Sequence, residues 1–214
     1  MTIVPATHEG IRQAAQVIRS GGVVAYPTET VYGLGADPFS EEALKILFSI
    51  KQRPRNNPVL LIIAEPEDVY QVAAEVSPRA KRYIEKFWPG PLSLVLPRRL
   101  SISDAVTAGR EKVCVRCPAS ETARALCRAV GGPITSTSAN RFGDTPAATL
   151  RDVDLPAVTI GIDGGTLPPS APSTVFDPDL GQVLRKGAIP AEALLGLSFP
   201  DGAGPTGGYR DRAE

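Results

Sequence analysis

A chain of 214 residues with 43% apolar and 21% charged residues has the composition of one folded domain able to bury a sizeable core. Lys plus Arg number 23 and Asp plus Glu number 23, which excludes whole-surface steering toward a polyanion, so any phosphate site must be local. No apolar run reaches the roughly 18 residues of a membrane span, no leader pattern opens the chain, and Cys114, Cys117 and Cys127 are an odd set unsuited to disulfide staples, so a cytoplasmic protein with reduced thiols and no membrane partner is expected.

In chain order, Ile11, Ala14, Ala15 and Ile18 recur at helical spacing, and Gly21-Gly22 ends that helix before an apolar strand, Val23 to Tyr26. Ser40, followed by Glu41-Glu42 and by Ala43, Leu44, Leu47 and Phe48, caps a helix expected to run to about Ile50. Val59 to Ala64 reads as a strand buried on both faces, Ser77-Pro78 opens a helix, and Leu92 to Leu96 is the next strand. A strand at Val113 to Arg116, a helix from about Ser120 to Val130 closed by Gly131-Gly132, and a strand at Ile134 to Thr137 follow. Further strands are expected at Val158 to Ile162, Thr174 to Asp177 and Val183 to Arg185. Strands alternating with helices early and crowded together late predict an α/β fold with a mixed sheet and helices on its faces. Residues 1–197 form the expected domain, and the Gly/Pro-rich, polar stretch 198–214 reads as a flexible tail.

Three motifs carry little. Gly202, Gly204 and Gly207 spell G-x-G-x-x-G, but no strand leads in and no helix leads out. Cys114 and Cys117 spell C-x-x-C, yet on a strand residues three apart face opposite sides, and no second ligand pair for zinc is present. His8, the only histidine, lies in the N-terminal segment before the first helix, where a surface role is expected, so histidine-based triads are set aside.

Chemistry gathers in three places. Lys51, Arg53 and Arg55 stand within five residues on a proline-stiffened loop between a helix end and a buried strand. Such cations either complement the helix macrodipole or extend into a cleft toward a polyphosphate. Ser136-Thr137-Ser138-Ala139-Asn140 follows an apolar strand and either lines a polar pocket at the strand end or forms a turn. Pro27-Thr28-Glu29-Thr30 also follows a strand, with Gly33 and Gly35 close behind to permit near approach of a ligand, or again a turn.

Together these segments resemble the YrdC-domain family of threonylcarbamoyl-AMP synthases. The resemblance runs from about Gly21 to Ile189 through GGVVAYPTETVYGLGADP, KQRP followed by Asn57-Pro58, FWPGPLSLVLP, VTAG, VCVRCP, PITSTSAN, IDGG, PSTVFD and LRKGAI, in the family's order. It implies a twisted parallel and antiparallel sheet with a concave ligand cleft. It further implies synthesis of threonylcarbamoyl-AMP and pyrophosphate from L-threonine, bicarbonate or CO2, and ATP, for the threonylcarbamoyl modification of tRNA adenosine beside the anticodon.

By the same resemblance Lys51, Arg53, Ser138, Asn140, Arg185 and Thr107 are expected to hold ATP, with Lys51 and Arg53 catalytic. Thr28, Arg116, Ser136 and Ser173 are expected around threonine and its carbamate. Mg²⁺ would accompany ATP without a dedicated protein cage, and threonylcarbamoyl-transferase proteins would receive the product. One departure is Ile62, which stands where many members have a histidine near the amino-acid site. Two alternatives remain: a module for tRNA or double-stranded RNA, bound weakly given the balanced charge, and the related domain of hydrogenase-maturing carbamoyltransferases, whose zinc-finger and acylphosphatase segments are lacking here.

Overall fold

Helix ends follow from their caps. In the computed structural model, which describes residues 1–52, 56–141 and 143–197, the side chains of Thr7, Ser40, Ser77, Ser103 and Ser120 each accept a backbone N–H at the start of a helix. The helices are α1 (His8–Arg19), α2 (Glu41–Lys51), α3 (Pro78–Phe87), α4 (Asp104–Thr107), α5 (Glu121–Val130) and α6 (Ala191–Leu195), with 3₁₀ turns at Pro66–Gln71 and Leu150–Asp152. Gly131, at φ 91°, closes α5 in the left-handed region that glycine enters without a Cβ clash. His8 begins α1 and does not precede it, and it is exposed as expected.

The strands are β1 (Thr2–Pro5), β2 (Val24–Pro27), β3 (Tyr32–Gly35), β4 (Leu60–Ile62), β5 (Leu92–Pro97), β6 (Lys112–Arg116), β7 (Ile134–Ser138), β8 (Ile160–Asp163), β9 (Thr174–Asp177) and β10 (Gln182–Arg185). They form a mixed sheet in the order β1-β8-β2-β3-β7-β4-β6-β5-β9-β10. The pairs β1–β8, β8–β2, β4–β6 and β5–β9 are parallel, and the rest are antiparallel. Among the described residues, no helix is long and apolar enough to cross a membrane.

Strand alternation divides the core in two. On one face Val24, Tyr26, Ile62, Ile134 and Ile160 pack with Ile11, Ala14 and Ile18 of α1 and with Ala123, Leu126 and Cys127 of α5. On the other, Ala25, Leu34, Leu61, Leu94, Val115 and Phe176 pack with Leu44, Leu47 and Phe48 of α2 and with Ala80, Tyr83 and Ile84 of α3. Continuing the first face two residues along β7 and β4 leads from Ile134 to Ser136 and from Ile62 back to Leu60. These two residues line an open cavity beyond the cover of α1 and α5.

Candidate active site

That cavity has a volume of about 690 Å³. β6 forms much of its floor by simple alternation: Lys112, Cys114 and Arg116 face the cavity while Val113 and Val115 enter the core. On β5, Ser93 and Val95 face it between the core residues Leu92, Leu94 and Leu96. Ser136 and Ser138 come from β7, Ser173 from the lead-in to β9, and Arg185 from the end of β10. Four cations therefore line the cavity, Arg110, Lys112, Arg116 and Arg185, and no carboxylate does among the described residues. Positive charge is thus concentrated locally in a chain of balanced charge, with Lys112 and Arg116 partly offset by Asp177 and Glu29.

Arg116 is 2% exposed. Its Nη1 lies 3.3 Å from Oε1 of Glu29, yet Nε, Nη1 and that Oε1 all lack a hydrogen-bond partner. Buried guanidinium donors are normally satisfied, so a guanidinium on a cavity floor with two buried, unpartnered nitrogens marks a place where an anionic oxygen such as a carboxylate would be welcome. Arg185 donates through Nη2 to the carbonyl oxygen of Ser173 at 2.8 Å and to its Oγ at 3.0 Å. Ser173 Oγ shares a 2.9 Å hydrogen bond with Ser93 Oγ, a buried hydroxyl. Burial holds the Arg185 pKa below its ordinary value, and the Arg116 charge adds to the effect. Burial likewise pushes the Cys114 thiol up to about 12 despite the pull of Arg185 and Arg116, so this thiol stays neutral. Lys112 pairs with the buried Asp177 at 2.6 Å.

The expected ATP residues separate. Ser138 and Arg185 line the cavity, whereas Lys51, Asn140 and Thr107 do not. Lys51 continues the buried α2 stripe of Leu44, Leu47 and Phe48, which turns it inward; it is 2% exposed. Its Nζ donates to the carbonyl oxygens of Ser138 and Asn140, both at 2.6 Å, and to Asn140 Oδ1 at 3.0 Å. Lys51 thus braces the Ser138–Asn140 turn and does not extend into the cavity. The pairing of the K-x-R lysine with S-x-N exists, but as a contact between protein groups. Asn140 Nδ2 donates to the Asp144 carbonyl at 2.5 Å, so that side chain also serves its own loop. Thr107 is 1% exposed at the end of α4 with an unpartnered Oγ1. Arg53 lies outside the described residues, as do the tail 198–214 and its glycine motif.

Of the expected threonine residues, Thr28, Arg116, Ser136 and Ser173 all line the cavity. The Thr28 hydroxyl donates to the Val31 carbonyl at 2.7 Å and accepts from the Thr30 and Val31 amides, each at 3.1 Å, so it chiefly builds its own turn. Ile62 is fully buried against Tyr26 and α5 and does not line the cavity. Sequence reasoning passed over Ser93, Arg110, Lys112 and Ser170 and set Cys114 aside, and all of these line the cavity, as does Thr30 of the Pro27–Thr30 segment. Extending the period of two back from Arg116 would have found Lys112 and Cys114, and the same period in β5 would have found Ser93. Arg110 and Ser170 lie on loops with no such signal.

Residues 16–187 match the Sua5_yciO_yrdC family, whose description reads "Telomere recombination". A Pyrococcus abyssi protein named threonylcarbamoyl-AMP synthase is 40% identical over 191 residues, covering 86% of this chain and 56% of its own length. An Idiomarina loihiensis protein of the same name is 38% identical over 181 residues, covering 82% of this chain and 97% of its own. The crystal structure of P. abyssi Sua5 complexed with L-threonine superposes with a TM-score of 0.85 at 37% identity, over 91% of this chain and 60% of that one. The chain thus spans little more than half of the Pyrococcus proteins and nearly all of the Idiomarina one.

Proposed function

The chain belongs to the Sua5/YciO/YrdC family, and from that premise we propose that it is a threonylcarbamoyl-AMP synthase acting on L-threonine, bicarbonate or CO2, and ATP. The observation that carries this reading is Arg116: a buried guanidinium with two unpartnered nitrogens on the floor of a cavity of about 690 Å³, ringed by hydroxyls. It suits the carboxylate of a small amino acid, the ligand held by the Pyrococcus relative.

The chemistry needs few protein groups. Threonine's amine is first carboxylated; the carbamate oxygen then forms a bond to the α-phosphorus of ATP as the bond to pyrophosphate breaks. The nucleophile is already an anion, so the protein must mainly hold two negatively charged reactants in line and stabilise charge on the phosphate oxygens. Arg116 holds the carboxylate, Ser93 and Ser173 present hydroxyls beside it, and Arg185 stands where charge can be neutralised. Ser138, on the turn that Lys51 braces, offers its hydroxyl to the nucleotide. Mg²⁺ would enter with ATP, held by phosphate oxygens and water.

The product would pass to a threonylcarbamoyl-transferase for tRNA modification, in the cytoplasm. The decisive experiment is pyrophosphate release from ATP with threonine and bicarbonate each present or omitted. Release that depends on both is the expected result, and release indifferent to either rejects the proposal. An RNA module gains no support from cations that line a cavity of small-molecule size.

A further inference from the structure

We infer that Glu29 is a positioning residue for Arg116, holding the guanidinium on the cavity floor where it meets the carboxylate of the amino-acid substrate; this rests on the function proposed above. Glu29 sits in the turn between β2 and β3 and is not among the residues lining the cavity, so it acts through Arg116 and not on substrate. Its two oxygens are divided between tasks. Oε2 accepts the Ser120 backbone N–H at 3.3 Å, at the cap of α5, and Oε1 lies 3.3 Å from Arg116 Nη1.

The support is rigid. Ser120 Oγ donates to the Pro27 carbonyl at 3.1 Å, Ser170 Oγ donates to the Thr30 carbonyl at 3.0 Å, and the Thr28 hydroxyl closes the turn internally. The Glu29 carboxylate is thereby carried by three separate segments of the chain.

The separation is informative. Nη1 and Oε1 lie within ion-pair distance at 3.3 Å, yet they are not aligned as a hydrogen bond and neither has another partner. A closed bidentate pair would occupy the donors that a substrate carboxylate needs. No carboxylate at all would leave a buried cation uncompensated. Glu29 offsets the charge of Arg116 and leaves Nε and Nη1 unpaired.

Two measurements on the full chain test this: threonine binding by calorimetry without nucleotide, and pyrophosphate release. Glu29→Gln, which keeps shape and removes charge, is expected to weaken threonine binding and raise its KM by at least about tenfold, with the KM for ATP and kcat at saturating threonine within about twofold of wild type. Glu29→Asp should recover part of the loss. In an Arg116→Met background, Glu29→Gln should add nothing further, because its effect passes through Arg116. Unchanged or tighter threonine binding in Glu29→Gln overturns the inference, as does an equal loss in the Arg116→Met background. Wild-type protein that binds threonine but releases no pyrophosphate would sink the proposed function alone. Should Glu29→Gln fail to fold, Glu29→Asp measured against Arg116→Met still decides the matter.

Discussion

Replacing Lys51 with methionine tests whether this lysine serves the protein or the ligand. The substitution keeps the aliphatic stem in the α2 stripe and removes an ammonium that donates to the Ser138 and Asn140 carbonyls and to Asn140 Oδ1. Hydrogen bonds from a charged donor contribute about 1.5–3 kcal/mol each, so three give a gross loss of about 4.5–9 kcal/mol. Methionine also removes the cost of burying the ammonium, several kcal/mol, which leaves a net destabilisation of about 2–4 kcal/mol. For a chain of this size that lowers Tm by about 5–15 °C. Thermal unfolding followed by circular dichroism reads this directly, with pyrophosphate release measured well below the lowered Tm. A variant that melts within about 2 °C of wild type yet has lost activity would show that the ammonium serves the nucleotide and that the brace is energetically idle.

Three further outcomes are expected. Arg116→Met should raise the KM for threonine by about 10² in the pyrophosphate assay, since two charge-assisted bonds to a carboxylate are lost; a change below about threefold would remove Arg116 from the amino-acid site. Burial pushes both Cys114 and Cys117 from an ordinary 9.0 up to about 12, so as pH rises the unfolded chain loses these protons first; their contribution to stability is complete below about pH 9 and is lost between about 9 and 12. Urea midpoints should fall across that window, less steeply in a Cys114→Ala, Cys117→Ala variant, and equal slopes would refute the assignment. Gly187→Ala should destabilise the chain and weaken threonine binding, because a Cβ there would lie 2.2 Å from the Pro172 carbonyl oxygen and 2.5 Å from backbone atoms of Ser173 and Thr174; a wild-type Tm would contradict this.

Periodic segments were readable and locally unusual ones were not. The stripes of α1, α2 and α5 and the apolar runs of β2, β4, β5 and β7 appear at the expected places within a residue or two. β1 was missed because only Val4 of its four residues is buried, so it shows no alternation. β3 shows no strand pattern because two of its four residues are glycine, which the sequence reading takes as room for a ligand. Those glycines do mark a close approach, chiefly of the protein's own tyrosine: a Cβ on Gly35 would lie 3.0 Å from the Tyr26 ring and one on Gly33 3.2 Å, although Gly33 also lines the cavity. For Lys51, the sequence reading places it on a loop just past the helix end, either complementing the macrodipole or reaching into a cleft. The helical period that placed Leu44, Leu47 and Phe48 inward continues to it, and following that period would have buried it. What could not be read was the standoff of Glu29 and Arg116, which depends on three loops meeting in space.

The middle strand of the cavity floor also constrains how this scaffold can change. β6 is zipped to β4 on one side and to β5 on the other, so its register is fixed from both edges. Gaining or losing a single residue within it would invert the strand beyond that point, driving Arg116 into the hydrocarbon interior and turning Val115 toward the incoming substrates. New preferences can therefore arise by exchanging side chains at positions 112, 114 and 116, while the spacing that delivers them must be inherited intact.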